Sequence, residues 1–180
     1  SYYSANESEI PDSITLTIIE NLNPDGFAMT GEAGRFNSNK VDLNRNFDCD
    51  WSATAVWKNQ QVSGGSAAFS EPEAKALRDY VEKYTPNAAI VYFASEGKVY
   101  PSACESAPSK ASVELAATFA NAAAYQAEAE FDAYAITGDM VNWMAKEGIP
   151  AISVLLTDRQ NPETVKNRAG LQAVLTKYSN

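Results

Sequence analysis

The sequence predicts a single α/β domain with a mixed, largely parallel, twisted sheet and helices on both faces. Three observations point there. Continuous apolar, β-branched runs occur at residues 14–19, 88–94 and 149–156, the pattern of strands covered on both faces. Segments with apolar residues at three- and four-residue spacing separate and follow them, so strands and helices alternate. The chain has 180 residues, 45% of them hydrophobic and 21% charged. At that length about 70% of the unfolded surface is buried on folding, and a core forms without disulfide staples.

Residues 1–13 (SYYSANESEIPDS) are a polar lead-in. The run ITLTII at 14–19 reads as a buried strand and ends in Asn23-Pro24-Asp25-Gly26, where Pro fixes φ and Gly accepts φ > 0. Residues 27–40 form a surface loop. Ser70-Glu71-Pro72-Glu73 has a hydroxyl at the N-cap position, Pro in the first turn and Glu at capping-box spacing. It starts a helix carrying Ala74, Leu77, Tyr80 and Val81 inward, stopped by Thr85-Pro86. Residues 88–94 are the second strand. An Ala-rich helix follows over 110–124, with Val113, Leu115, Ala116 and Phe119 on its apolar side. A shorter helix over 139–146 ends at Gly148, a C′ residue. Residues 149–156 are the third strand, and 162–178 a closing helix with Val165, Leu171, Val174 and Leu175 inward. No repeat, low-complexity tract or linker interrupts residues 1–180.

Fourteen basic against 23 acidic residues give a formal net charge of −9. That field repels phosphate backbones and anionic lipid, so neither nucleic acid nor membrane is an expected partner. No apolar run approaches the roughly 20 residues of a membrane helix. Histidine is absent, which excludes Ser/His/Asp triads, Cys/His dyads and imidazole zinc sites within these residues. Cys49 and Cys104 are too few for an all-thiolate metal site. Both fall at one end of the predicted sheet, leaving open a disulfide, which favours a secreted or cell-envelope location, or two reduced structural cysteines.

Two segments carry candidate chemistry. Asp42-Leu43-Asn44-Arg45-Asn46-Phe47 sets a guanidinium among amides, and Arg35 precedes it. Arg pairs fork-like with a carboxylate and Asn offers a donor and an acceptor beside it; a surface ion-pair cluster involving Asp42 and Asp48 is the competing reading. Tyr134 stands before a flexible Thr137-Gly138, as a functional hydroxyl or as a half-buried aromatic.

Taken together, NPDGF at 23–27, Arg35 before VDLNRNF at 41–47, FSEPEAKAL at 69–77, ASEGKVYP at 94–101, YAITGDMVNW at 134–143 and GIPAISVLLTD at 148–158 resemble the zinc carboxypeptidases, the carboxypeptidase A/B-like metallopeptidases. The resemblance implies that Arg35 polarises a scissile carbonyl and that Asn44 and Arg45 clamp a peptide's terminal carboxylate. Tyr134 would close over the ligand, and Val141 would set an apolar side-chain preference. It also implies a zinc ion held by an upstream His-x-x-Glu motif and a third His, with a Glu activating water. The third-ligand position is Ala94, with Phe93 as the alternative, and the Glu position is Leu155. The family's first zinc-binding motif and several strands are expected before residue 14, so a missing N-terminal segment or a second chain would complete the sheet. The expectation is a catalytically inactive domain without cofactor that binds peptides bearing a free C-terminal carboxylate. A truncated or engineered derivative of an active peptidase and a structural domain without ligand are the alternatives.

Overall fold

The structure, a computed structural model, describes residues 2–132 and 134–179. Two short helices, α1 (Tyr2–Ala5) and α2 (Pro24–Phe27), precede a hairpin of β1 (Thr54–Trp57) and β2 (Gln60–Ser63). Helix α3 (Pro72–Tyr84) leads to β3 (Ala89–Ala94) and β4 (Lys98–Pro101), then α4 (Lys110–Ala123) and β5 (Gln126–Ala127). Helix α5 (Met140–Lys146), β6 (Ala151–Leu156) and α6 (Thr164–Tyr178) complete the order. The central sheet runs β3-β6-β4-β5, with β3 parallel to β6, β6 antiparallel to β4, and β4 parallel to β5.

Side chains alternate across this sheet as the two-residue period requires. Ala89, Val91 and Phe93 of β3 and Ala151 of β6 face α3 and α5, where Leu77, Val81, Met140 and Trp143 form one core. Ile90, Ile152, Val154 and Val99 point the other way, onto Leu115 and Phe119 of α4 and Val174 of α6. The mixed α/β sheet with helices on both faces is therefore the architecture observed. Among the described residues no helix is long and apolar enough to cross a membrane.

Four expectations are corrected. Residues 14–19 belong to no strand, and Ile18 and Ile19 are exposed. β-branched composition makes a strand only where a neighbour supplies hydrogen bonds, and β3, the sheet's edge, pairs with β6 alone. For the same reason β3 is half-exposed, whereas β6 buries Ala151, Ile152 and Val154 completely. Ser70 does not cap α3; its hydroxyl donates to Glu71, and Glu71 is the N-cap residue. Val113 and Val165 are 45% and 76% exposed. Val113 lies a quarter-turn off the buried stripe of α4, and Val165 sits on the far side of α6 from Asn167, Gly170 and Val174.

Cys49 and Cys104 form a disulfide, which joins the segment after Phe47 to the loop after β4. The turn after β6 is fastened by Glu163, which accepts from the Thr157 backbone N–H and hydroxyl and from Tyr125, and pairs with Lys166. Burial alone would raise this carboxyl, but the Thr157 N–H, Lys166, Tyr125 and the Thr157 hydroxyl outweigh it and hold it at about 2.

Two predictions follow from this packing. A Cβ on Gly170 would lie 2.7 Å from the Phe119 ring, so Gly170→Ala should destabilise by about 1–3 kcal/mol through overpacking. Adding Phe119→Leu should recover part of that loss in a urea double-mutant cycle. Because the folded pKa of Glu163 lies below its unfolded value, its stabilisation is present above the ordinary carboxylate pKa and lost as pH falls toward about 2. Glu163→Gln should be less stable than wild type at neutral pH, with the gap narrowing below the ordinary carboxylate pKa and closing toward about pH 2.

Candidate functional site

The 42–47 segment is a buried polar turn. Asp42, Leu43, Arg45, Asn46 and Phe47 are each 5% exposed or less, so their donors and acceptors must be satisfied internally. Asp42 caps the 3-10 turn Leu43–Arg45 by accepting from Asn44 N (3.0 Å). Asn46 donates to Gly64 O, Ala67 O and Ser70 Oγ, and accepts from Glu71 N. The hairpin and the entry to α3 are thereby fixed around it. Phe47 N donates to Gly138 O and Gly138 N to Cys49 O, which lays the 134–139 loop against the same turn. A Cβ at Gly138, where φ is +63°, would collide with the Arg45 carbonyl.

Arg45, 1% exposed, donates through Nε to Val56 O (3.0 Å) and through Nη1 to Asn44 O (2.7 Å). Neither acceptor is charged. Among the described residues no carboxylate lies within ion-pair distance of Arg45, and Nη2 has no hydrogen-bond partner. Tyr134 lies over this guanidinium, 6.0 Å from ring centroid to Cζ. Arg35 is placed differently. It bonds Asp42 Oδ2 at 2.8 Å and stacks over Trp57 at 5.0 Å, so its charge already has a partner.

Asn44 bridges to the start of α5. Its Nδ2 donates to Asp139 Oδ2 (2.7 Å), and its Oδ1 accepts from Met140 N. Asp139 is the N-cap of α5 and accepts from Asn142 N (2.9 Å). Burial pushes the Asp139 carboxyl above the ordinary value, against the Asn142 N–H, the Asn44 side chain, the Arg45 charge and the Val141 N–H. Asp139 was visible in the sequence as a helix start but not as a partner of Asn44. Asn142 was likewise missed: its Oδ1 accepts from Ala103 N, and it lines a concavity of about 210 Å³ with Phe131, Tyr134 and Ile136. Val141 is 1% exposed and packed in the α3/α5 core.

The structure thus gathers Asn44, Arg45 and Tyr134, with Arg35 joined to the same turn through Asp42. Of the competing ion-pair reading, Arg35 does pair with Asp42, but Asp42 is buried rather than on the surface, Asp48 pairs with Lys146, and Arg45 joins neither acid. Positions 94 and 155 lie at the C-terminal ends of β3 and β6, where Ala94 pairs in register with Leu156 and Phe93 with Leu155. None of these side chains has a donor atom for zinc, so the residues present do not fit the ion there. Cys49, Asp50 and Cys104 lie close together, but both sulfurs are in the disulfide, which leaves one carboxylate.

A sequence model of one family, described as zinc carboxypeptidase, matches residues 2–171. Solved structures of similar fold include the murein-tripeptide amidase MpaA from Escherichia coli O157, with 20% identity and a TM-score of 0.65, covering 88% of this chain and 65% of that one. Carboxypeptidase A from Helicoverpa armigera matches at 19% identity and a TM-score of 0.66, covering 90% and 49%. Bovine thrombin-activatable fibrinolysis inhibitor matches at 21% and 0.58, covering 91% and 58%. The 180 residues therefore span between about half and two-thirds of these three chains.

Removing the Asp139 carboxylate should show both of its roles. Asp139→Ala should cost about 1–2 kcal/mol for the lost cap and about 1–3 kcal/mol more for Asn44 Nδ2 left unpaired. Asp139→Asn, which keeps an acceptor for the Asn142 N–H, should cost less. Because burial raises the Asp139 carboxyl above its unfolded value, it costs stability progressively as pH rises from the ordinary carboxylate range up to its folded pKa, so the Asn variant should also lose less stability on going from acid to neutral pH. Urea midpoints across that range check both.

Proposed function

The chain belongs to the zinc carboxypeptidase family, and from that premise we propose that these residues form a peptide-binding module that grips a terminal carboxylate without hydrolysing the peptide. The observation that carries the reading is Arg45: a buried guanidinium with neutral acceptors on two donors and Nη2 open beneath Tyr134. A carboxylate is the planar acceptor such a group takes, each charge-assisted hydrogen bond being worth about 1.5–3 kcal/mol before desolvation.

Asn44 fixes the floor of the site, because its amide is locked between Asp139 and Met140 N. Arg35 is held by Asp42 and Trp57 at the rim, in position to orient the last peptide carbonyl as a neutral pair rather than as a free cation. The concavity beside Tyr134, with Phe131 and Ile136 but also Glu130 and Asn142 on its wall, would receive the final side chain. Proton transfer has no agent in this arrangement, since Leu155 stands where the family's resemblance places its general base. When bound, zinc would supply a Lewis acid and an activated water; the side chains of Phe93, Ala94 and Leu155 could hold neither.

The partial coverage of the matched chains favours a second reading, in which these residues are one part of a longer peptidase whose other part carries the metal ligands. Elemental analysis of the complete natural polypeptide separates the two. About one zinc per chain with chelator-sensitive peptidase activity supports the second.

The test of the clamp compares a peptide acid with its C-terminal amide on the unaltered protein. The acid should bind with a micromolar to millimolar dissociation constant and the amide about tenfold or more weakly. Arg45→Ala should erase the difference between them, while Arg35→Ala should only weaken both. Equal binding of acid and amide would overturn the reading.

A further inference from the structure

The loop that carries Tyr134 is lightly held. Among the described residues, no hydrogen bond ties residues 129–137 to the rest of the protein, and the buried Thr137 hydroxyl has no partner. Ring contacts of Phe131 with Tyr100 and Tyr134 steady it. Its fastening comes at Gly138, whose O accepts from Phe47 N (3.0 Å) and whose N donates to Cys49 O (2.7 Å). The facing wall of the concavity is held as sparingly. Among the described residues, the one hydrogen bond from 103–108 to the rest of the protein is Ala103 N to Asn142 Oδ1 (3.2 Å). Ala103, Tyr134 and Asn142 line the same concavity. The Cys49–Cys104 disulfide joins the segment that fastens one wall to the loop that forms the other, across 55 residues of sequence.

The rest of the molecule has its own supports. β6 is paired on both sides, and Ile152 and Val154 in it are fully buried. The Arg45 turn is held by Asn46 and by Val56 O. The two sulfurs differ in access. Cys49 is 2% exposed, whereas Cys104 is only partly buried, so an external thiolate meets the Cys104 sulfur first. Asp50 Oδ2 lies 4.0 Å from Cys49 Sγ. A carboxylate there disfavours a Cys49 thiolate and accepts from its thiol, and the thiol is the poorer nucleophile for closing the bond again.

We propose that the Cys49–Cys104 disulfide is a redox-controlled latch on the Arg45–Tyr134 site, which a dithiol reductant opens while the sheet stays folded. What the latch controls rests on the carboxylate-binding reading; how it opens rests on the bonds described here. One thiolate of the reductant attacks Cys104 Sγ, the S–S bond breaks, and its electron pair leaves on the Cys49 sulfur, which takes a proton. The second thiol then displaces the Cys104 sulfur, which also takes a proton, and the reductant closes its own disulfide. Two electrons and two protons pass to the protein, and a disulfide oxidant reverses the step. With the latch open, Gly138 and Ala103 keep only single hydrogen-bonded contacts to segments no longer joined, so the walls must be ordered again when a ligand binds, and affinity falls.

The test is amide hydrogen exchange on the unaltered protein before and after dithiothreitol, with free thiols counted by alkylation and mass. Reduction should speed exchange at Phe47 and Gly138 about tenfold or more and leave the amides of β6 unchanged. In the same samples the peptide acid should bind about tenfold or more weakly once the protein is reduced, and oxidised glutathione should restore it. Cys49→Ser combined with Cys104→Ser should match the reduced protein and ignore dithiothreitol; the reduction arms stand even if that variant misfolds. Sulfurs that stay joined in excess dithiothreitol, or unchanged exchange at Phe47 and Gly138 after full reduction, would overturn the proposal. So would equally faster exchange in β6, since the disulfide would then hold the whole fold, or acid binding indifferent to full reduction. Equal binding of acid and amide by the oxidised protein would overturn the carboxylate reading instead, and the exchange rates would still decide the latch.

Discussion

Asn46 is the side chain on which the arrangement of this molecule turns. It is fully buried, and its amide is used at both ends: three acceptors on Nδ2 and the Glu71 N–H on Oδ1. A buried amide left without partners costs on the order of 1–3 kcal/mol, so the chain closes around this one. The β1–β2 hairpin, the 67–71 approach to α3 and the 42–47 turn are thereby brought to one place. Arg45 is buried because Asn46 is. Its neighbours in sequence are committed inward, and the hairpin that Asn46 anchors brings Val56 O to the Arg45 Nε. The 134–139 loop then adds itself through the Phe47–Gly138 and Gly138–Cys49 backbone bonds. The candidate site is what remains where these three stretches meet.

Strand β6 and the four longer helices were legible in the sequence because each has enough residues to show a period. β6 is an unbroken apolar run, and in α4 the positions of Leu115, Ala116 and Phe119 fall on one stripe. The hairpin was not legible. Its strands are four residues each, and its turn is Lys58-Asn59, with Lys58 at φ +54°, rather than the Asn-Gly or Asp-Gly that marks such turns. β4 and β5, at four and two residues, are below the length at which alternation can be distinguished from chance. Residues 14–19 failed in the opposite way. ITLTII has the composition of a strand, but composition cannot say whether another strand lies alongside.

The site shows a similar division. Arg35, Asn44, Arg45 and Tyr134 could be named from the residues and the resemblance they carry. Which cation is compensated could not, because that depends on how one carboxylate divides its oxygens. Asp42 gives Oδ2 to Arg35 and Oδ1 to the Asn44 N–H, and Asp139 spends its two on Asn44 and Asn142. Both acids are consumed within reach of Arg45 without pairing with it. Two arginines ten residues apart therefore differ in kind, one neutralised at a half-exposed rim and one buried with its charge open.

That difference decides what the site can do without a metal. Burying an ion costs several kcal/mol after relaxation, and for Arg45 the fold already bears that cost with the Asp139 carboxylate in Coulombic range but, among the described residues, no carboxylate in direct ion-pair contact. A carboxylate arriving there is charged only with its own desolvation, against an attraction of about 4 kcal/mol at 4 Å and an effective dielectric of about 20. Phe47 and Val141, both fully buried, are packed in one apolar core with the partly buried Phe93, which lowers the effective dielectric on that side of the turn. A site organised before its ligand arrives loses less to ordering when the ligand binds. The carboxylate-binding reading proposed above rests on that buried guanidinium, whose two bonded donors meet only neutral acceptors.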